Sequence, residues 1–154
     1  MMQKSLYDIN PIKKEEFNMV QLLVGNKGSG KTKALIEMIN EAVKTTNGHV
    51  VCVEKGSVMI FNINYQARLV DIDDYKVEGF EMLYGFISGL CACNYDITDL
   101  FIDATLRIGG RDYEAFAQMI EKLTAPAFKE INITFTVSCA PSDLPAEMQR
   151  FVMK

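Results

Sequence analysis

Apolar residues along the chain fall into two kinds of run. Some are short and unbroken over five or six positions, and others recur every three or four positions over a longer span. The first kind, bounded by turn residues, reads as a strand buried on both faces, and the second as one face of a helix. By that rule Met19 to Val24 and His49 to Glu54 are buried strands. Between them Leu35, Met38, Ile39, Ala42 and Val43 mark a helix from about Gly30 to Thr46, which Asn47-Gly48 ends. Lys55-Gly56 turns the chain, and Ser57 to Phe61 and Arg68 to Ile72 read as two short strands, either with a parallel strand added or as an edge ribbon. From Val77 to Cys93 the residues Phe80, Leu83, Tyr84, Ile87, Leu90 and Cys91 share a helical face. Gly79, Gly85 and Gly89 interrupt that helix at about 1 kcal/mol each relative to alanine, which points to close packing against a neighbour.

Asp99 to Asp103 is the next strand, three apolar residues ending in a carboxylate. Thr105 to Arg111, with Gly109-Gly110, reads as a loop, and Asp112 caps a helix that runs to about Thr124 before Pro126. Ile131 to Ser138 alternates apolar and polar residues as a strand does. A loop from Ala140 to Pro145 leads to a last short helix, Pro145 to Val152. Strands alternating with helices predict an α/β fold, a three-layer sandwich around a mostly parallel sheet. Residues 1–18 are polar and charged and read as an N-terminal extension, with 19–154 as one domain.

Composition narrows the choices. The 154 residues are 49% apolar, enough for one real core, and carry a net charge of −4. The acidic balance and the lack of a basic cluster argue against a nucleic-acid groove, so nucleic acid is not an expected partner. Every apolar run is too short to cross a membrane. The N-terminus lacks an apolar signal core, so the expected location is cytoplasmic. Cys52, Cys91, Cys93 and Cys139 with the single His49 make no zinc spacing and read as buried free thiols.

The chemistry concentrates between the first strand and the first helix. Gly25-Asn26-Lys27-Gly28-Ser29-Gly30-Lys31-Thr32 fills every fixed position of G-x-x-x-x-G-K-[ST]. Its glycines let the backbone turn tightly and bring N–H groups against phosphate oxygens. Lys31 reaches toward the outer phosphates, and Thr32 offers a hydroxyl to Mg²⁺. Asp103 ends its strand at the carboxyl edge, where ligands of open parallel sheets bind. Asp96 and Asp99 precede the apolar run and belong at the other end of the strand.

Loop, aspartate strand and a later strand ending in polar residues together resemble the P-loop NTPases. The strand inserted between the two motifs is similar to the RecA/AAA branch, and the size to small bacterial ATP-binding proteins built on a bare core. That resemblance implies binding of ATP or GTP with Mg²⁺. It makes Gly25, Asn26, Lys27, Gly28, Ser29 and Gly30 the phosphate cradle, Lys31 a catalytic phosphate ligand, and Thr32 and Asp103 the magnesium ligands. Ser138 or Thr136 would be a polar sensor. In that branch a glutamate that orients water commonly follows the aspartate, but Ala104 stands there, so the expectation is slow or partner-dependent hydrolysis.

Glu54 ends the second strand at the same sheet edge. It offers a substitute base, as in the nucleoside kinases that the loop also resembles, or else it pairs with Lys55 or solvent. Arg107 and Arg111 read as groups over the phosphates, as fingers completing a neighbour's site in a homo-oligomer, or as solvated loop residues. A third reading is a nucleotide-gated module in which the Gly109-Gly110 loop or the N-terminal extension moves to admit a protein partner.

Overall fold

The computed structural model describes residues 20–57, 59 and 62–154. The extension read at 1–18 lies outside them, as does most of the strand read at 57–61; Ser57 and Met59 are described and belong to no strand. In chain order the main elements are β1 (Val20–Val24), α1 (Lys31–Thr45), β2 (His49–Glu54), β3 (Arg68–Asp71), α2 (Phe80–Cys93), β4 (Ile97–Ile102), α3 (Thr105–Gly109), α4 (Tyr113–Lys122) and β5 (Asn132–Val137). The five strands form one sheet in the order β1-β5-β4-β2-β3, and every pairing is parallel. The fold is therefore α/β, with β3 as a parallel edge strand rather than half of a ribbon.

Alternation along each strand divides the apolar residues between two faces. Val50 and Cys52 of β2 and Phe101 of β4 turn toward α1 and pack with Leu35 and Ile39. Val51, Val53, Leu100, Ile102, Ile133 and Phe135 turn the other way, against Phe80, Leu83 and Ile87 of α2 and Phe116 and Ile120 of α4. Helices thus cover both faces, and the unbroken apolar runs of β2 and β4 follow from burial on both sides. Phe116 is the hub of the second layer: its ring stacks on Phe80 at 5.2 Å and meets Phe135 edge-on at 6.1 Å.

Four local structures depart from the sequence reading. Strand β3 stops at Asp71, whose carboxylate accepts the Asp73 N–H at 3.0 Å and starts a 3-10 turn over Ile72–Tyr75. Thr105 to Gly109 is a helix, not a loop, because Leu106 and Ile108 are buried and Gly109 abuts Phe80. A side chain at Gly109 would put its Cβ 2.2 Å from that ring, so Gly109 is packed against α2, whereas Gly110 is exposed with open space around it. The last element, Ala146–Phe151, is a 3-10 helix, in keeping with the three-residue spacing of its buried Met148 and Phe151. Finally, Gly85 and Gly89 face outward with nothing within 4 Å of a Cβ placed there, so among the described residues they bring no neighbour close.

The C-terminus closes the sheet's other edge. Val152 bridges Leu22 of β1, and the Met153 N–H donates to the Leu22 carbonyl at 2.9 Å. No helix among the described residues is long and apolar enough to cross a membrane.

Candidate functional site

Strands β1, β4 and β5 all end at one cleft of about 970 Å³, at the upper end of the range usual for small-molecule sites. Its floor is the loop after β1. The Gly25 N–H donates to the Val137 carbonyl at 3.1 Å and extends the β1–β5 ladder by one bond, and Ser29 N–H closes a turn on the Asn26 carbonyl at 3.1 Å. Gly28 and Gly30 sit at φ 85° and 88°, the left-handed region that side chains disfavour. Gly25 is crowded for another reason: a Cβ there would fall 2.5 Å from the Ser29 hydroxyl, which would have to turn away.

Helix α1 starts without a cap. Gly30 at its N-cap position offers no side chain, and the first turn contains Lys31, Thr32 and Lys33 and no acidic residue. Acids are the stabilising choice beside the positive end of a helix dipole, so cations there oppose the usual preference. Among the described residues the N–H groups of Gly30, Lys31, Thr32 and Lys33 have no acceptor, and the first hydrogen bond in this region is from Ala34 to the Gly30 carbonyl. The Lys31 ammonium folds back over the loop, donating to the Asn26 carbonyl at 3.0 Å and lying 3.4 Å from Ser29 Oγ. A helix end with open N–H donors, flanked by ammonium groups, is built for an anion.

The cleft's far wall is the β4–α3 turn. Thr136 of β5 donates to Asp103 Oδ1 at 2.6 Å and accepts the Ala104 N–H at 3.0 Å, so one hydroxyl holds both the carboxylate and the turn behind it. Strand parity explains the meeting. Asp103 follows Phe101 and Thr136 follows Thr134 on the α1 side of the sheet, and Thr136 is only 3% exposed. Ala104 adopts φ 56°, ψ 40°, a conformation that costs an L-residue about 1–2 kcal/mol and is uncommon outside glycine. The Asp103 N–H reaches sideways to the Val53 carbonyl at 2.8 Å, tying the turn to β2 as well.

Five cations line the cleft, Lys27, Lys31, Lys33, Arg107 and Arg111, against the two acids Asp103 and Asp143. The two arginines differ. Arg111 approaches the Ser138 carbonyl at 3.4 Å and the Tyr113 hydroxyl at 3.3 Å, whereas Arg107 is exposed and no contact ties it down among the described residues. Cys139, buried in the same wall, has its thiol pKa raised, chiefly by desolvation and then by Asp143, so it stays protonated and unreactive at neutral pH.

Six of the eight loop positions, Asn26, Lys27, Gly28, Gly30, Lys31 and Thr32, line this cleft together with Asp103, Thr136 and Ser138, and Gly25 and Ser29 are not part of its lining. Glu54 is a further exception. It is 1% exposed, does not line the cleft among the described residues, and accepts the Met59 N–H on Oε2 at 3.2 Å beneath the turn that follows β2. Lys55 pairs with Asp73 instead of Glu54. Asp99 lies at the opposite end of β4, bound to Thr98 and Asn132. The role of Thr136 in holding Ala104 was not readable in advance, since it depends on the order of strands in space.

No group of three or more His, Cys, Asp or Glu among the described residues forms a metal site. The cleft lining includes oxygen donors of the kind a hard cation takes, among them the Thr32 hydroxyl and the Asp103 carboxylate. Compared with known protein families the chain matches no family model, and no curated protein is significantly similar to it.

Proposed function

We propose that this chain is a P-loop nucleotide-binding protein that takes ATP or GTP with Mg²⁺, and that on its own it hydrolyses the nucleotide slowly. The observation that carries the reading is the uncapped N-terminus of α1, with open N–H donors and lysines in its first turn. The N–H groups of such an end face solvent until an anion takes them, and the terminal phosphates of a nucleotide would take them together. Lys31, freed from Asn26 and Ser29, binds the outer phosphates, and Thr32 and Asp103 hold the ion. An ion held by these two residues would supply positive charge against the charge that develops in transfer.

The slow turnover follows from the other wall. Phosphoryl transfer to water needs a group that orients the attacking oxygen, and the residue after Asp103 is an alanine in a left-handed turn. Asp103 itself accepts the Thr136 hydroxyl on one oxygen, which leaves the other for the ion. A partner, or a second copy, supplies the missing group when turnover is fast.

A panel of nucleoside di- and triphosphates with and without Mg²⁺, read first as binding and then as phosphate released over hours, tests this. The expected result is Mg²⁺-dependent triphosphate binding that Lys31→Ala weakens by about 10- to 100-fold, with little phosphate released. Binding that is absent in both proteins overturns the reading. Rapid phosphate release by the isolated chain overturns its second half.

A further inference from the structure

The cations of the cleft divide by where they are anchored. Lys27, Lys31 and Lys33 belong to the loop after β1 and the first turn of α1, and the Lys31 ammonium is already turned onto Asn26 and Ser29. Arg107 and Arg111 belong to the wall that follows Asp103. The Arg111 guanidinium has two neighbours, the Tyr113 hydroxyl and the Ser138 carbonyl, and so spans from the start of α4 to the end of β5. The Arg107 guanidinium is exposed and has no such neighbour among the described residues, although it lines the same cleft.

The stem of Arg107 is nevertheless fixed. Its N–H donates to the Ala104 carbonyl at 3.0 Å, and the residues on either side of it, Leu106 and Ile108, are buried. The Ile108 carbonyl accepts the Gly79 N–H at 2.9 Å and Gly109 abuts Phe80, so α3 is fastened to the start of α2. At its other end Thr136 holds the Ala104 N–H. A long planar cation on a helix tied at both ends, with its head free in the cleft, is placed for a ligand.

Which part of the ligand it meets follows from the two walls. Under the proposed function, on which this inference rests, the loop and the open N–H groups of α1 hold the polyphosphate, and Thr32 and Asp103 hold the ion at its outer end. The outermost phosphate is then the one that approaches α3. A guanidinium offers that phosphate a fork of two parallel N–H donors, a geometry an ammonium lacks. We infer that Arg107 recognises the terminal phosphate of a nucleoside triphosphate and makes the site select triphosphate over diphosphate, while Arg111 braces the wall beside it.

Titration calorimetry of the full chain in Mg²⁺, with a non-hydrolysable nucleoside triphosphate and then with the matching diphosphate, tests this. Arg107→Ala is expected to weaken triphosphate binding by about 10- to 100-fold, the range for a lost charged donor, and to change diphosphate binding by less than about twofold. Arg107→Lys keeps the charge without the fork and is expected to recover only part of the loss. Arg111→Ala is expected to leave the ratio of the two affinities near that of wild type. Because Arg107 is exposed, Arg107→Ala is expected to keep the wild-type urea midpoint, so its loss of affinity is not a loss of fold. Triphosphate and diphosphate affinities that fall together in Arg107→Ala, or that do not fall, overturn this inference and leave nucleotide binding standing. A ratio that collapses in Arg111→Ala instead assigns the terminal phosphate to Arg111 and overturns it too. Wild type that binds neither nucleotide overturns the proposed function and this inference together.

Discussion

Two chain reversals face each other across the cleft, and they are built differently. After β1 the positive-φ positions are glycines, Gly28 and Gly30, and the N–H groups that follow have no acceptor among the described residues. After β4 the positive-φ position is Ala104, whose N–H is taken by Thr136, as is one oxygen of Asp103. The first reversal leaves its donors open to solvent, and the second is closed at the cost of backbone strain. Under the proposed function the open loop is completed by its ligand, whereas the closed one is pre-organised. The cleft therefore combines an open wall with a fixed wall, and the two respond differently to substitution.

The largest effect is expected in the open wall. Lys31→Ala removes a charged donor to phosphate, a group whose hydrogen bonds contribute roughly 1.5–3 kcal/mol, so affinity falls by about 10- to 100-fold while unfolding in urea is nearly unchanged. Titration calorimetry and urea denaturation separate the two. In the closed wall the order reverses. Thr136→Val keeps the shape but strands the Ala104 N–H and one Asp103 oxygen, costing about 1–3 kcal/mol of stability. The same variant weakens nucleotide binding only when Mg²⁺ is present. If Thr136→Val leaves the urea midpoint where it was, the closed wall is not held as described.

Smaller effects sharpen the comparison. Ala104→Gly relieves a left-handed alanine, worth about 1–2 kcal/mol, against the roughly 0.5–1 kcal/mol of extra entropy that glycine loses on folding. A net gain of about 0.5–1 kcal/mol in unfolding free energy is expected, and the same change at a helix interior would be destabilising. The smallest effect lies outside the cleft, at Asp71. Its carboxyl is held below the usual carboxylate range, chiefly by the Gly56 N–H and next by that of Asp73, with Ser57 and Lys55 adding to them. A depressed folded pKa gives stability that is complete above the unfolded value and is lost as pH falls through the folded one. Asp71→Asn is therefore expected to lower stability slightly at neutral pH and to flatten the acid limb of the stability profile below about pH 4, where the two proteins converge.

The sequence was legible where local pattern and global position agree. The runs that became β2 and β4 are apolar because both sheet faces are covered, β5 showed itself by alternation, and the loop from Gly25 to Thr32 is a pattern of consecutive residues. Helix α3 was missed because five residues ending in Gly109-Gly110 carry no period. Its cause is tertiary, the packing of Gly109 on Phe80, although Leu106 and Ile108 in a supposed loop were a hint. Gly85 and Gly89 were read as close-packing residues, and a helical wheel alone cannot tell an inner face from an outer one when both are apolar. Glu54 was placed at the right sheet edge, but the turn that covers it, and so its distance from the cleft, is set by residues after Lys55.

The central claim is that the open N–H groups at the start of α1 receive the phosphates of a nucleotide. Backbone amide NMR of the full chain, titrated with a nucleoside triphosphate in Mg²⁺, tests it most directly. The account predicts that the amides of Gly28, Gly30, Lys31 and Thr32 shift most and saturate together, and that Asp103 and Ala104 follow only when Mg²⁺ is present. Loop amides that stay in place while nucleotide binds elsewhere, or no binding at all, would contradict it.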